Sequence, residues 1–373
     1  MKVLHLRSST GFYGAEALIE ALVLGQIQAG DGPMVAALVD ARQPHTELVD
    51  RLEARGAAVA TVPSAGRLDP GVPGRLAALA RSNGAQVLHT HDYKTSIYGL
   101  VASWMTGLPV VSTFHGEVSD TAMVRFYEAL CRGSLRLFDG VALVSQAQRS
   151  SFLDPWRKKV PEFIPNGMDT VGLLARVDAL RHNGARTLWR RRLGLGPEAI
   201  LVATVGRLCH GKGQLLALDA MSEVMASDGR VCWALAGDGE DRQALEAELE
   251  RRRLGQRVRL LGYVEDMDGL YAGVDVLLHP SLREGLPMVI LEAMSAGLPV
   301  VASPVGEIPV VLADGAGVVL EDRGASLVEA VLSLLDATAR EALGGAGQRR
   351  ALERYGAARL ASDYRRQLYE VVL

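Results

Sequence analysis

The 373-residue chain is poor in several things, and each shortage excludes a class of protein. It has three cysteines, Cys131, Cys209 and Cys232, and none has a neighbour at metal-ligand spacing. They read as small buried hydrophobes, and unpaired thiols fit a cytoplasmic chain. Charge of one sign is not in excess: 40 Lys and Arg against 43 Asp and Glu leave a formal −3. That gives no reason to expect a nucleic-acid partner. No run approaches the ~18 consecutive apolar residues of a membrane span. The opening MKVLHLRSS is too short an apolar run for a signal peptide and has no small-residue cleavage site after it, so it reads as a strand. No Gly/Ser-rich linker and no short internal repeat is present. The G-x-G-x-x-G of dinucleotide binders and the Walker pattern G-x4-G-K-S/T are both missing. An NAD-dependent oxidoreductase is thereby disfavoured, although Asp40 ends the second strand where a ribose-binding acid would sit.

What is present is an ordinary globular composition, 49 % hydrophobic and 22 % charged, in a chain long enough for two domains. Apolar runs of about five residues alternate with helix-length amphipathic runs, which predicts parallel sheets covered by helices on both faces. In the first half strands are expected at 3–7, 34–39, 58–62, 87–90, 110–114 and 141–145, with helices such as 15–29, 95–106 and 123–137. In the second half strands are expected at 200–205, 231–236, 258–261, 275–279, 300–303 and 318–320. Between 167 and 192 the pattern turns basic and loses its strands, which predicts the domain boundary there. Residues 357–372 read as one last amphipathic helix.

The stretch HPSLREGLPMVILEAMSAGLPVVAS organises the second half. A buried strand leads into a polar turn. Pro287 then takes the first helical position, where its missing N–H costs nothing, and Gly297 ends the helix. Glu284 therefore sits in the loop at the strand's carboxyl edge, and Glu292 lies about two turns into the helix. Ligands bind at that edge of open α/β sheets, and a helix N-terminus suits phosphate or sugar hydroxyls. A second block, VATVGRLCHGKGQ, places Gly206, the forked donor Arg207 and the mobile cation Lys212 after another strand, a set suited to a diphosphate. LAGDGE adds a glycine turn at Gly237. Asp266 and Asp268 imitate a D-x-D metal motif, but they open a helix, where acids complement the dipole.

The first half offers TGFYGAE, in which Gly11 and Gly14 let backbone approach a ligand. His89 and His91 point the same way along a strand, so zinc is compatible with the spacing, but no third ligand is evident. His91 and Tyr93 are expected to line an acceptor side. A covalent hydrolase-like mechanism is rejected, because neither Ser145 nor Cys131 has a legible base and orienter.

The block EGLPMVILEAMSAGLPVVAS resembles the signature of retaining family 4 glycosyltransferases, glycosyl transferases group 1, with the E-x7-E motif on Glu284 and Glu292. The G-R-x4-K-G element on Arg207 and Lys212 and the T-x-H-G motif on Thr113, His115 and Gly116 occur in the same order as in that family. The resemblance implies the α/β GT-B fold, two Rossmann-like domains facing each other across a cleft. It implies an acceptor domain over 1–168, rejoined by the final helix 357–373, and a nucleotide-sugar donor domain over 169–356. It implies transfer with retention from a UDP-sugar, or next a GDP-sugar, to a saccharide, lipid-linked or small-molecule hydroxyl. In that scheme Arg207 and Lys212 hold the donor diphosphate and His115 lies near the reacting carbon. Gly14, Gly206, Gly237, Gly262, Tyr263, Val264, Glu284, Gly285, Leu286 and Glu292 contact the donor. Gly11, Tyr13, His91, Tyr93 and His115 face the acceptor. No catalytic metal and no other cofactor is expected. The implied place is the cytoplasm, free or at the inner face of the membrane. Two other readings stay open, a nucleotide-sugar-binding module without turnover and a GT-B nucleotide-sugar epimerase.

Overall fold

A computed structural model describes residues 1–8, 11–12, 14–40, 46–66, 69–115, 133–146 and 161–373. Tyr13, Gly116, Cys131 and most of the expected helix 123–137 lie outside them. The chain divides into two compact units: Met1–Met168 with Gly356–Leu373, and Asp169–Tyr355.

The first unit is built on a parallel sheet of seven strands in the order β3-β2-β1-β4-β5-β6-β7. These are β1 (Val3–Ser8), β2 (Met34–Val39), β3 (Ala58–Pro63), β4 (Val87–Thr90), β5 (Val110–Phe114), β6 (Gly140–Leu143) and β7 (Glu162–Phe163). The order reverses between β1 and β4, where His5 pairs in register with His89. Two apolar clusters cover the sheet: Leu4, Leu6, Leu76 and Leu88 belong to one, and Ile19, Val23, Val35 and Leu52 to the other. The C-terminal segment closes one side. Helix Ala357–Tyr364 lies so close to helix Gly14–Gln28 that a Cβ on Gly25 would stand 2.1 Å from the Ala357 carbonyl oxygen.

The second unit repeats the plan with six parallel strands in the order β10-β9-β8-β11-β12-β13. They are β8 (Ile200–Val205), β9 (Val231–Ala236), β10 (Val258–Gly262), β11 (Val276–His279), β12 (Val300–Ala302) and β13 (Val318–Val319). Here the order reverses between β8 and β11. Its core centres on Trp233, whose Nε1–H donates to Thr204 Oγ1 at 3.0 Å and so satisfies a buried indole.

Three local expectations need correction. Pro287 caps the helix Met288–Ser295 from outside, with ψ of 126°, because the turn needs extended backbone before the helix begins. Glu292 is consequently only the fifth helical residue, just over one turn in. The final segment changes at Arg365 from an α-helix to a π-helical turn, Arg365–Tyr369, which brings Tyr369 inward to full burial. Short β7 was not expected from the sequence, and two residues are too few to show a period. Among the described residues no helix is long and apolar enough to cross a membrane.

Candidate active site

In the second unit the two strands at the reversal, β8 and β11, each deliver a loop to the carboxyl edge of the sheet, the place where such sheets hold ligands. The β8 loop is shaped by glycines. Gly206 has φ of +146° and Gly237 has φ of +135°, and a Cβ on Gly237 would stand 2.1 Å from the Gly206 carbonyl oxygen. Only a residue without Cβ allows the two backbones to pack this way. Lys212 ends a 3₁₀ turn, His210–Lys212, just before helix Gln214–Ser227.

The β11 loop meets it. Leu282 N–H donates to Gly211 O at 2.9 Å, and Arg323 donates to the carbonyls of Pro280 and Ser281 at 3.2 and 3.1 Å. Glu284 is thereby placed with Oε1 accepting from Lys212 Nζ at 2.6 Å and from His279 Nε2 at 2.8 Å. Ser281 Oγ lies 3.1 Å from that same histidine nitrogen. Burial alone would push the Glu284 carboxyl up. The His279 hydrogen bond and charge, with those of the Lys212 ammonium, outweigh it and hold the carboxyl at about 2. The carboxylate is thus ionised at neutral pH, and Oε2 has no partner among the described residues.

Arg207 stands apart from this cluster. It is exposed and pairs with Glu240 at 3.1 Å, while its carbonyl accepts from Gln214 Nε2 at 3.0 Å. Gly262 has φ of +68° and its carbonyl accepts from Gly237 N–H at 2.7 Å, tying the β9 and β10 ends together. Tyr263 beside it is 72 % exposed and Val264 follows in the same turn. Gly285 O accepts from Glu307 N–H at 2.9 Å, and Leu286 is buried. Glu292 Oε2 accepts from the buried Tyr271 hydroxyl at 2.6 Å; desolvation, then the Glu292 charge, push that phenol well above its ordinary range. Asp266 caps helix Met267–Gly273 through Gly269 N–H, and Asp268 pairs with Arg176, so the D-x-D imitation is spent on structure.

In the first unit the edge at the β1–β4 reversal carries Gly11, with φ of +149°, exposed Gly14 opening its helix, and half-exposed Tyr93. Behind it lies a buried histidine layer. His5 Nδ1 is 3.1 Å from His91 Nε2, and His5 Nε2 is 2.9 Å from Gln26 Oε1. His89 binds the Tyr369 hydroxyl and Thr113 Oγ1, both at 2.8 Å, and Thr113 Oγ1 is 2.9 Å from the Tyr364 hydroxyl. His91 is 1 % exposed, and its ring belongs to this layer. The ring of His115 lies 5.7 Å from that of His91, and its Nε2 is buried without a partner. A third ligand for a metal does exist: His5, His89 and His91 bring one nitrogen each within 4.8 Å of one another. The nitrogens of His5 and His89 are all engaged in hydrogen bonds, however, which fits a proton-ordered network better than an ion.

Sequence reasoning assigned no role to His279, Tyr271 or His5. His279 had a signal, a polar residue ending an apolar strand at the ligand edge. Tyr271 and His5 had none, since each matters through a partner far away in the chain.

The family model for glycosyl transferases group 1 matches residues 199–337, and that for Glycosyltransferase Family 4 matches 12–171. The chain belongs to the family 4 glycosyltransferases. The UDP-Gal:alpha-D-GlcNAc-diphosphoundecaprenol alpha-1,3-galactosyltransferase of Escherichia coli is 29 % identical over 58 % of this chain and 57 % of its own length. The chain thus spans little more than half of that relative. The phosphatidyl-myo-inositol mannosyltransferase of Mycobacterium tuberculosis is 27 % identical over 79 % of this chain and 75 % of its own. Among solved structures, Anabaena HepE in complex with UDP and glucose superposes with a TM-score of 0.78 at 21 % identity, covering 99 % of both chains. The fold of this family 4 member is that of the GT-B glycosyltransferases.

Proposed function

We propose that this family 4 member transfers a sugar, with retention at the anomeric carbon and without a catalytic metal, from a nucleotide-diphosphate sugar to a hydroxyl acceptor. The observation that carries the proposal is the Lys212–Glu284 pair at the β8–β11 edge: a cation for the diphosphate and an ionised acid with one open oxygen for sugar hydroxyls. In this reading the bond from the anomeric carbon to the diphosphate oxygen breaks as the acceptor oxygen bonds the same face. The acceptor proton passes to the leaving diphosphate, and Lys212 with adjacent helix N–H groups offsets the developing charge. Arg207 supplies a second cation once a ligand draws it from Glu240. Glu292, oriented by Tyr271, takes the ribose, and the Gly262–Val264 turn lies beside the base. Tyr93, Gly11 and His115 serve the acceptor side.

A UDP-sugar is the first donor to test and a GDP-sugar the second. The E. coli relative is named for UDP-galactose and a diphosphoundecaprenol-linked acceptor, and HepE was crystallised with UDP. Saccharide, lipid-linked and small hydroxyl acceptors all fit this chemistry, in glycan or glycolipid biosynthesis. The proposed setting is the cytoplasm, at the inner membrane face if the acceptor is lipid-linked.

Thermal-shift screening of UDP-, GDP- and ADP-sugars identifies the donor, since a ligand at 100 times its Kd stabilises by about 2.7 kcal/mol. Turnover is then measured with that donor, with and without EDTA, and the product anomer read by NMR. Lys212→Ala and Glu284→Ala are expected to lose most transfer while staying folded. Wild-type-like rates in either variant, an inverted product, or binding without any transfer or hydrolysis refute the assignment.

A further inference from the structure

We propose that His279 is a positioning residue for Glu284: it keeps hold of Oε1 when the Lys212 ammonium turns to a bound diphosphate. The inference rests on the sugar-transfer reading for the arrival of the diphosphate, and on geometry alone for the rest.

Two donors share one oxygen of Glu284, Lys212 Nζ at 2.6 Å and His279 Nε2 at 2.8 Å. They are not equivalent. Lys212 is partly exposed, on a stem free to swing, and a diphosphate offers its ammonium more negative charge than one carboxylate does. His279 is 1 % exposed and ends β11, where its carbonyl accepts from Ser303 N–H at 3.0 Å and its backbone pairs with Ala302. It cannot follow a ligand. Once Lys212 leaves, a carboxylate with only a tenth of its side chain exposed would be left without a donor on Oε1, were it not for the His279 ring. The carboxyl would then gain a proton or rotate, and Oε2 would no longer be presented to a sugar hydroxyl.

The ring's contacts all run toward the acid loop. His279 Nδ1 is buried and has no hydrogen-bond partner. In the first unit His5 and His89 engage both nitrogens, while His91 likewise leaves its buried Nδ1 without a partner. At His279 every polar contact of the ring runs through Nε2, to Glu284 and Ser281. Facing a carboxylate, Nε2 is a nitrogen that carries a proton.

The test uses the full chain with Lys212→Ala standing in for the departed ammonium, so no ligand is needed. The Glu284 carboxyl carbon is followed by 13C NMR between pH 4 and 7, assigned by its loss in Glu284→Gln. In Lys212→Ala the signal is expected to stay in its ionised position at pH 5. Adding His279→Leu, or His279→Met if the leucine variant fails to fold, is expected to move its midpoint up by about one pH unit or more. His279→Gln, which retains an N–H donor, is expected to restore most of the shift. In the otherwise native chain His279→Leu should lower kcat by roughly 100-fold with little change in donor KM, as misplacement of a site group does. The acid limb of the kcat profile should move upward with the NMR midpoint. Identical carboxyl titrations with and without the imidazole overturn the assignment. Absence of turnover in the wild-type chain with every nucleotide sugar overturns the sugar-transfer reading instead, and leaves the carboxyl titration to decide the role of His279.

Discussion

Lowering the pH from 7 to 5 will destabilise the first unit well before the second. His5, His89 and His91, buried, and His115, partly buried, are held neutral in one layer, where desolvation foremost depresses each ring: His5 to about 4, His115 to about 3 with the Arg7 charge adding to it, and His89 and His91 well below the usual value. In the unfolded chain the same rings take up protons near pH ~6.5. Between those values the unfolded state binds more protons, so stability is fully present above about 6.5 and falls as the pH drops toward 4. Each neutral ring costs about 1.36 kcal/mol per pH unit in that window, or about 2 kcal/mol at pH 5. His5 and His115 alone then remove about 4 kcal/mol from a domain stability on the order of 5–15 kcal/mol, and His89 and His91 act in the same direction. The second unit has no such layer among its described residues, and Glu284, held at about 2, stays ionised throughout. Hydrogen exchange read by mass spectrometry separates the two units. After correction for intrinsic rates, protection in β1, β4 and β5 is expected to fall roughly a thousandfold more than in β8 and β9 between pH 7 and 5. An equal fall in both units, or none in the first, refutes a histidine layer that must stay uncharged.

Two further variants probe single contacts. Tyr369→Phe leaves His89 Nδ1 buried without its partner at 2.8 Å, and urea unfolding of the first unit should show a loss of about 1–3 kcal/mol. Gly237→Ala forces a Cβ against the Gly206 carbonyl at φ of +135°; thermal melting should fall by several degrees and nucleotide affinity with it, whereas a harmless Gly237→Ala would mean the two loops move apart freely.

The strands and the loops at their ends were legible because each rests on local pattern: five-residue apolar runs, glycine punctuation, and acids or cations just past a strand. Lys212 and Glu284 could be named from that pattern, and their 2.6 Å contact follows from strands β8 and β11 being neighbours. What stayed hidden depends on register between distant segments. His5 reads as one polar residue in an N-terminal strand until β1 pairs with β4 and sets it beside His89. Tyr271 reads as an ordinary core aromatic until helix Met288–Ser295 brings Glu292 to its hydroxyl. The inward turn at Arg365–Tyr369 escaped because a π-helical step leaves no mark on amphipathic spacing. The contact of His91 with His5 was hidden for a related reason: a strand-end histidine has no partner legible in its own segment.

The first unit is discontinuous, and that orders events on the ribosome. Its sheet is translated before residue 168, yet the hydroxyls that cap His89 and Thr113 belong to Tyr369 and Tyr364, made only after the whole of the second unit. The intervening Asp169–Tyr355 segment can finish its own core during elongation, while the earlier one waits for the segment Gly356–Leu373 to emerge. A nascent chain stalled short of residue 364 would therefore present one mature unit and one with an open seam, the natural target for chaperones and proteases.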